Sequence, residues 1–291
     1  MKTVILAEKP SQAKEYAQAM HKQTMKKGYL EIEDPLFPDG AAVTYGFGHL
    51  VGLSLPNEYP EFEGPWSIEK LPYFPEPMKY RVDPEKRTQF QIVKHLLQEA
   101  STIIIATDSD REGELIAWLI LNQAIPDPKK KTIQRLWINS LEKEVIRKGF
   151  ATLKDAKETY PKYLEAQTRQ KSDWLVGMNL SPLYTLYLQK LGMRGTYPIG
   201  RVQTPTLMMV YQRNKEMETF KVTPYFELEL QVKKDDQTFS ARLKESQKFS
   251  HETELAQFLK EKGVNLGEQM VEVKRIEKSK KRKNKVHNSS P

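Results

Sequence analysis

A chain of 291 residues that is 38% hydrophobic and 10% aromatic can bury more than one core, and its length suggests two domains, or one domain with a partial second. It holds no cysteine, and its five histidines face 38 acidic residues, which excludes disulfide staples and thiolate metal sites and favours oxygen ligands for a hard cation such as magnesium. The formal charge of +8 invites a nucleic-acid reading, but Lys274–Lys285 carries eight Lys or Arg against Glu277 alone, so most of the excess lies in a tail expected to be solvated and disordered.

In chain order, Thr3–Glu8 (TVILAE) is a short β-branched apolar run followed by Pro10, Ser11 and a helical stretch over Gln12–Met20, which predicts strand, tight turn and helix. Ala41–Leu55 reads as strand and glycine-rich turn, and the proline- and aromatic-rich Pro56–Pro84 as an irregular surface excursion. The spacing predicts an amphipathic helix over Arg87–Glu99. Thr102–Thr107 (TIIIAT) has the continuous apolar pattern of a parallel strand buried on both faces, with Glu114–Asn122 helical behind it. Thr132–Ile138 predicts another strand, after which Asn139 or Ser140 can cap a further helix. Ala151–Leu191 is helical, Gly192–Pro205 a loop and Thr206–Glu218 a helix; Tyr225–Lys233 and Thr238–Leu243 follow as strands and Glu252–Lys262 as a helix. Strands alternating with helices over the first half predict an α/β fold with an open, mainly parallel sheet whose sites lie at the carboxyl ends of the strands. No run of eighteen apolar residues occurs and Met1–Glu8 lacks a signal-peptide plan, so no membrane association and a cytoplasmic location are expected.

The strongest local signal for chemistry is ATDSDREGE, where Asp108, Asp110, Glu112 and Glu114 crowd the end of a buried strand. Such carboxylates repel one another unless neutralised, and magnesium does this with one or two carboxylates, several waters and phosphate oxygens. The alternative is plain capping: Asp110 as N-cap, with Glu112 and Glu114 favoured by the helix dipole. Glu8, leaving the end of a second predicted strand, favours the metal reading. Crowded by other carboxylates, it has the raised proton affinity of a general acid, and Lys9 beside it can steady a pentavalent phosphate. A second signal is YPIGRVQTPTL, where Gly200 permits close backbone approach, Arg201 can fork onto phosphate and Gln203 can bond a base edge or sugar; by itself it is also an ordinary Gly-Pro loop. Arg169 and Asp173, four apart on a helix, can simply pair with each other.

Taken together and in order, LAEKPSQAK, VTYGFGHLVGL, ATDSDREGELIAW, RLWINSLEKEVIRKGFATL, RQKSDWLVGMNLS and GRVQTPTL resemble the type IA DNA topoisomerases, and the AEKPS opening resembles their topoisomerase III branch. The resemblance implies a Toprim domain over 1–148 and a helical DNA-binding domain over 149–222. Partial gate-domain strands and a helix over 223–273 and the basic tail over 274–291 complete the chain. It implies that Glu8, Asp108, Asp110 and Glu112 form the magnesium-binding acidic centre, with Lys9 assisting transesterification. His49, Arg169, Asp173, Ile199, Gly200, Arg201, Val202 and Gln203 would line the groove for single-stranded DNA. The family cuts one strand through a 5′-phosphotyrosine link and reseals it without ATP.

One departure from the family is serious: its nucleophile lies in a Tyr-x-Arg-Thr-Asp segment, and none of the thirteen tyrosines here has those neighbours. Tyr197, in Thr196-Tyr197-Pro198, mimics its beginning but belongs to the GRVQTPTL loop, where stacking on a base or packing on the helices is expected. The expectation is therefore a topoisomerase III-like protein truncated before its catalytic tyrosine, with a second polypeptide as one source of the missing cleavage domain. Two alternatives stand beside it: a non-catalytic Toprim protein that binds magnesium and single-stranded DNA, and a different Toprim enzyme of nuclease or primase type. GRVQTPTL and DWLVG speak against the last.

Overall fold

The computed structural model describes residues 2–234, 237–242, 248–264 and 267. The chain divides into two compact units, Met1–Tyr211 and Gln212–Pro291.

The first unit opens with β1 (Thr3–Ala7), α1 (Pro10–Gln18), β2 (Lys22–Lys26), β3 (Tyr29–Asp34) and β4 (Phe37–Tyr45), followed by β5 (Val51–Leu53) and β6 (Tyr80–Val82). It continues through α2 (Arg87–Glu99), β7 (Thr102–Ala106), α3 (Arg111–Ala124), β8 (Thr132–Arg135), α4 (Lys143–Ala151), β9 (Lys154–Asp155) and α5 (Tyr160–Lys190), and α6 (Gln203–Glu218) follows a loop. Seven strands form one sheet in the order β2-β3-β4-β1-β7-β8-β9. The central β4, β1, β7 and β8 run parallel, and the outer pairings are antiparallel.

The apolar runs explain this core. β1 and β7 are buried on both faces because alternate side chains enter two different clusters. Val4, Leu6, Ile103 and Ile105 face α2 and α3, whereas Ile5, Ala7, Ile104 and Ala106 face α1 and α4. The chain leaves β1 through α1 towards β4 and returns through α2 to β7, on the other side of β1. The sheet order therefore reverses between β1 and β7, where an open α/β sheet leaves a crevice at its strand tips.

The expected α/β class and parallel core are observed, and the helix over Arg87–Glu99 has the predicted bounds. The excursion after β5 folds back through short 3-10 turns, burying Tyr59 and Tyr73 against Trp174 of α5, whose Nε1 donates to Ser54 O at 2.9 Å. The β2–β3 hairpin was not expected: β2 is wholly exposed and, Met25 apart, polar, so it has no apolar alternation, whereas β3 turns Leu30, Ile32 and Asp34 inward. Ser140 does not cap α4. The cap position is Glu142, which makes no side-chain cap bond; Ser140 Oγ instead accepts the Glu142 N–H at 3.2 Å and shapes the preceding turn. Among the described residues no helix is long and apolar enough to cross a membrane.

In the second unit, β10 (Phe226–Glu227), β11 (Glu229–Lys234), β12 (Gln237–Arg242) and β13 (Lys248–Phe249) pair as two small antiparallel sheets, β10 with β13 and β11 with β12. The expected run Tyr225–Lys233 is thus interrupted at Leu228. α7 (Glu252–Lys262) has its predicted bounds, ends at Gly263 with φ of 65°, and packs Leu255 and Leu259 on Phe249. The expected tail over 274–291 lies outside the described residues.

At the sheet's antiparallel edge, Asp34 is fully shielded and joins α1, β3 and α4. Arg147 Nη1 donates to its Oδ2 at 2.7 Å, the Leu36 N–H to its Oδ1 at 3.1 Å, and the His21 N–H to its Oδ2 at 3.1 Å. Burial alone would raise this carboxyl, but the bonds from Arg147, Leu36 and His21 outweigh it and hold it well below the usual carboxylate range. A depressed folded-state pKa contributes stability that is present above the unfolded value near 4 and drains away as pH falls towards the folded value. Asp34→Asn is expected to cost on the order of 3 kcal/mol at pH 7 and about 1 kcal/mol less at pH 3. Urea melts at the two pH values check this; an equal loss at both would contradict it.

Candidate functional site

The parallel register pairs Ala7 with Ala106, so β1 and β7 end side by side and the chain emerges as Glu8 from one and as Thr107 and Asp108 from the other. The Asp108 N–H donates to Glu8 Oε2 at 3.2 Å. Lys9 Nζ lies 3.7 Å from Asp108 Oδ2. On the far side of Glu8 the glycine turn after β4 braces the backbone: Gly46 N–H donates to Ala7 O and Gly48 N–H to Glu8 O, each at 3.1 Å. Gly48 takes φ of 64°, and a Cβ on Gly46 would lie 2.8 Å from Gly48 O, so both positions suit glycine.

Burial raises the Glu8 carboxyl above its ordinary value, and the nearby charge of Asp108 adds to this; the Asp108 N–H and Lys9 act the other way, and Asp110 contributes a further smaller rise. Glu8, Asp108 and Asp110 therefore feel one another electrostatically, as their crowding in the sequence suggested. Asp110 also caps α3, its Oδ1 accepting the Gly113 N–H at 2.8 Å, so the capping reading is realised alongside.

The other two acids of the cluster turn elsewhere. Glu112 Oε1 lies 2.8 Å from His49 Nε2, at a cavity of about 360 Å³ that Arg81, Lys86 and Gln170 also line. Glu114 is fully buried and bonds Arg135 Nε, also buried, while Trp118 Nε1 donates to its other oxygen at 3.2 Å. Arg135 goes on to donate to Thr107 O at 2.9 Å and Asp108 O at 2.6 Å, clamping the turn that carries Asp108. Among the described residues, no three or more His, Asp or Glu side chains converge as a ready-made metal cage.

Farther along, Arg169 and Asp173 pair as expected at 3.7 Å, but Asp173 also takes the fork of Arg201, with Nη2 at 3.3 Å from Oδ2. The Arg201 bond is the main reason the Asp173 carboxyl lies below its usual range, against a smaller opposing effect of burial. The loop before α6 is pinned to α5: Ile199 N–H donates to Ser181 Oγ and Tyr197 N–H to Thr185 Oγ1, both at 2.9 Å. Gly200 packs on the Gln203 side chain, and Val202 is exposed. Tyr197 is half-buried, its hydroxyl donating to Arg194 O at 3.1 Å.

Gln12 and Arg135 take part in this site although the sequence singled out neither of them for it, and Glu114, grouped there with the crowded acids, does so as the buried partner of Arg135. Gln12 and Arg135 look like ordinary helix and strand residues, and Glu114 counts only as one more acid.

Comparison with known proteins follows the same division of the chain. Residues 3–141 match the Toprim domain family, and residues 157–288 match the DNA topoisomerase family. The chain is 38% identical over 262 residues to DNA topoisomerase 3 of Staphylococcus aureus (strain USA300), covering 89% of this chain and 34% of that protein. With DNA topoisomerase 3 of Staphylococcus haemolyticus (strain JCSC1435) it is 40% identical over 235 residues, covering 80% of this chain and 31% of that protein. The chain is a type IA topoisomerase III-like protein. It spans about a third of the length of the relatives it matches.

In this topoisomerase III-like chain the acidic turn is closed so tightly that only glycine fits at its base. A Cβ on Gly113 would fall 2.2 Å from Asp108 O, whereas one on Gly52 would meet nothing within 4 Å. Gly113→Ala is expected to destabilise the protein by about 3 kcal/mol through displacement of the turn, and Gly52→Ala by less than about 0.5 kcal/mol. Chemical denaturation of the two variants side by side tests this; similar stabilities would show that the turn is soft.

Proposed function

We propose that this chain is the Toprim part, with the start of the following domains, of an ATP-independent enzyme that breaks and rejoins single DNA strands, and that it binds magnesium and single-stranded DNA. Residues 1–148 are assigned to the Toprim domain, 149–222 to the helical DNA-binding part and 223–273 to the beginning of a gate domain. The observation that carries the reading is the meeting of Glu8 and Asp108 at the tips of adjacent parallel strands, within hydrogen-bond reach of one turn and beside Lys9.

The donor set fits a hard divalent cation. Glu8 is half-buried, Asp108 and Asp110 raise its proton affinity, and Lys9 supplies only one positive charge against them. Magnesium needs one or two carboxylates and keeps several waters, so Glu8 and Asp108, with Asp110 at the rim, suffice to hold it; Glu112 would have to leave His49 to join. Once bound, the ion supplies charge neutralisation at a phosphate. The chain's own part is to present Lys9 to developing negative charge; Glu8 serves the ion while ionised, and when released from it can hold a proton for the departing 3′-oxygen of the cleaved strand.

His49, Arg169, Asp173, Arg201 and the backbone from Ile199 to Gln203 are assigned to the single-stranded DNA path. The covalent step needs a nucleophile to store the broken bond, and these 291 residues contain no Tyr-x-Arg-Thr-Asp segment. On their own they are expected to bind without relaxing supercoils.

Calorimetry with magnesium should show uptake by the wild type and a loss of about tenfold or more in affinity in Asp108→Asn. Anisotropy with a labelled single-stranded oligonucleotide should show binding by both proteins that weakens with salt. Absence of cation uptake by the wild type, or plasmid relaxation by the 291-residue protein that Asp108→Asn abolishes, would overturn these assignments.

A further inference from the structure

Gln12 stands at the third position of α1 and is buried, 3% exposed, among the acids of the site. Its side chain faces two ways. Oε1 accepts the Glu8 N–H at 2.8 Å, and Nε2 donates to Asp108 Oδ1 at 2.8 Å, across 96 positions of sequence. It thereby ties the tip of β1 to the carboxylate that leaves β7. The glutamine amide carries a donor and an acceptor together without charge. A carboxylate could still accept from Glu8 N–H but would add a charge to a crowded site and could not donate to Asp108. An apolar group would satisfy neither.

The bond to Oδ1 also fixes the rotation of Asp108. With one oxygen held by Gln12, the other is left on the side of Lys9, 3.7 Å away. Asp108 is restrained at both ends: its carbonyl is gripped by Arg135 and its carboxylate by Gln12. Held so, Asp108 enters a coordination shell with its rotamer already chosen, which lowers the entropy lost on binding.

We propose that Gln12 is a positioning residue that presets Asp108 for a small, geometrically demanding divalent cation and thereby favours magnesium over calcium. This rests on the acidic-centre reading above. Magnesium requires near-ideal octahedral geometry, whereas calcium accepts six to eight oxygens in flexible arrangements, so a loosened Asp108 penalises magnesium more. A residue that merely stabilised the fold would affect both ions alike.

The test is calorimetry with magnesium alone and calcium alone on the full 291-residue protein and on Gln12→Met and Gln12→Glu, with thermal melts to establish that each variant is folded. Gln12→Met should lose about tenfold in magnesium affinity and less than about threefold in calcium affinity. Gln12→Glu retains the acceptor for Glu8 N–H and adds charge, so affinities for both ions can rise; the ratio of magnesium to calcium affinity should nevertheless fall by about threefold or more. Either folded variant keeping the wild-type ratio within about twofold overturns the assignment. A wild-type protein that takes up neither ion overturns the acidic-centre reading itself, a result distinguishable from the first.

Discussion

A buried guanidinium organises the end of the sheet where Glu8 and Asp108 meet. Arg135 and Glu114 are both fully removed from solvent, and taking two charges out of water is expensive unless each finds complete hydrogen bonding. Here each does. Beyond Glu114, Arg135 donates to the carbonyls of Ile105, Thr107, Asp108 and Leu136, and Glu114 receives Trp118 Nε1 as well as Arg135. These carbonyls belong to the ends of β7 and β8 and to the turn beyond, where the ladder stops; Ile105 O and Asp108 O also accept the Leu136 and Asp110 N–H groups, and Arg135 adds bonds to Thr107 O and Leu136 O. An apolar pair of the same volume would avoid the desolvation cost but remove the guanidinium bonds to Thr107 O and Leu136 O. The ion pair therefore serves the turn more than it serves overall stability, and the turn carries Asp108 and Asp110.

Much of this end of the fold was legible from local pattern. TVILA and TIIIA declare two doubly buried strands, the helical period over Arg87–Glu99 is unbroken, and an acidic turn straight after a buried strand marks the crevice. That Glu8 meets Asp108 followed from the strand-tip rule together with a parallel sheet. What stayed illegible depends on partners far apart in sequence or on the absence of an apolar signal. β2 is a polar edge strand, ordered by its pairing with β3 and not by any pattern of its own. Glu114 lies one turn of helix from the acids it was grouped with, and only the fold reveals that Arg135 neutralises it. Gln12 reads as an ordinary residue of a first helical turn until β7 is placed beside it.

The residues assigned to the DNA path share a physical feature: most are already paired within the protein. His49 faces Glu112, and Arg201 shares Asp173 with Arg169. These pairs are partly exposed, so each contributes little to stability and can be exchanged at small cost. Their effect is geometric, because Asp173 holds the loop before α6 against α5 and Glu112 holds the glycine turn that also braces Glu8. A phosphate arriving at Arg201 would compete with Asp173 for the same fork, and the gain from that contact would be the difference between two charge-assisted bonds rather than the whole of one.

Two degrees of preparation follow from this contrast. Around Glu8 and Asp108, apart from the half-exposed Lys9, the restraints come from groups that are buried or packed at the sheet's edge: Gln12, Arg135, the glycine turn and the register of β1 with β7. Around Arg169, Asp173 and Arg201 the restraints are exposed ion pairs on a helix and a loop. The proposed cation site needs placement to about half an ångström, which packed strands and helices supply better than loops. The proposed path for a flexible DNA strand would tolerate side chains that swap partners, and exposed pairs on a helix and a loop keep those side chains in order at little cost to exchange.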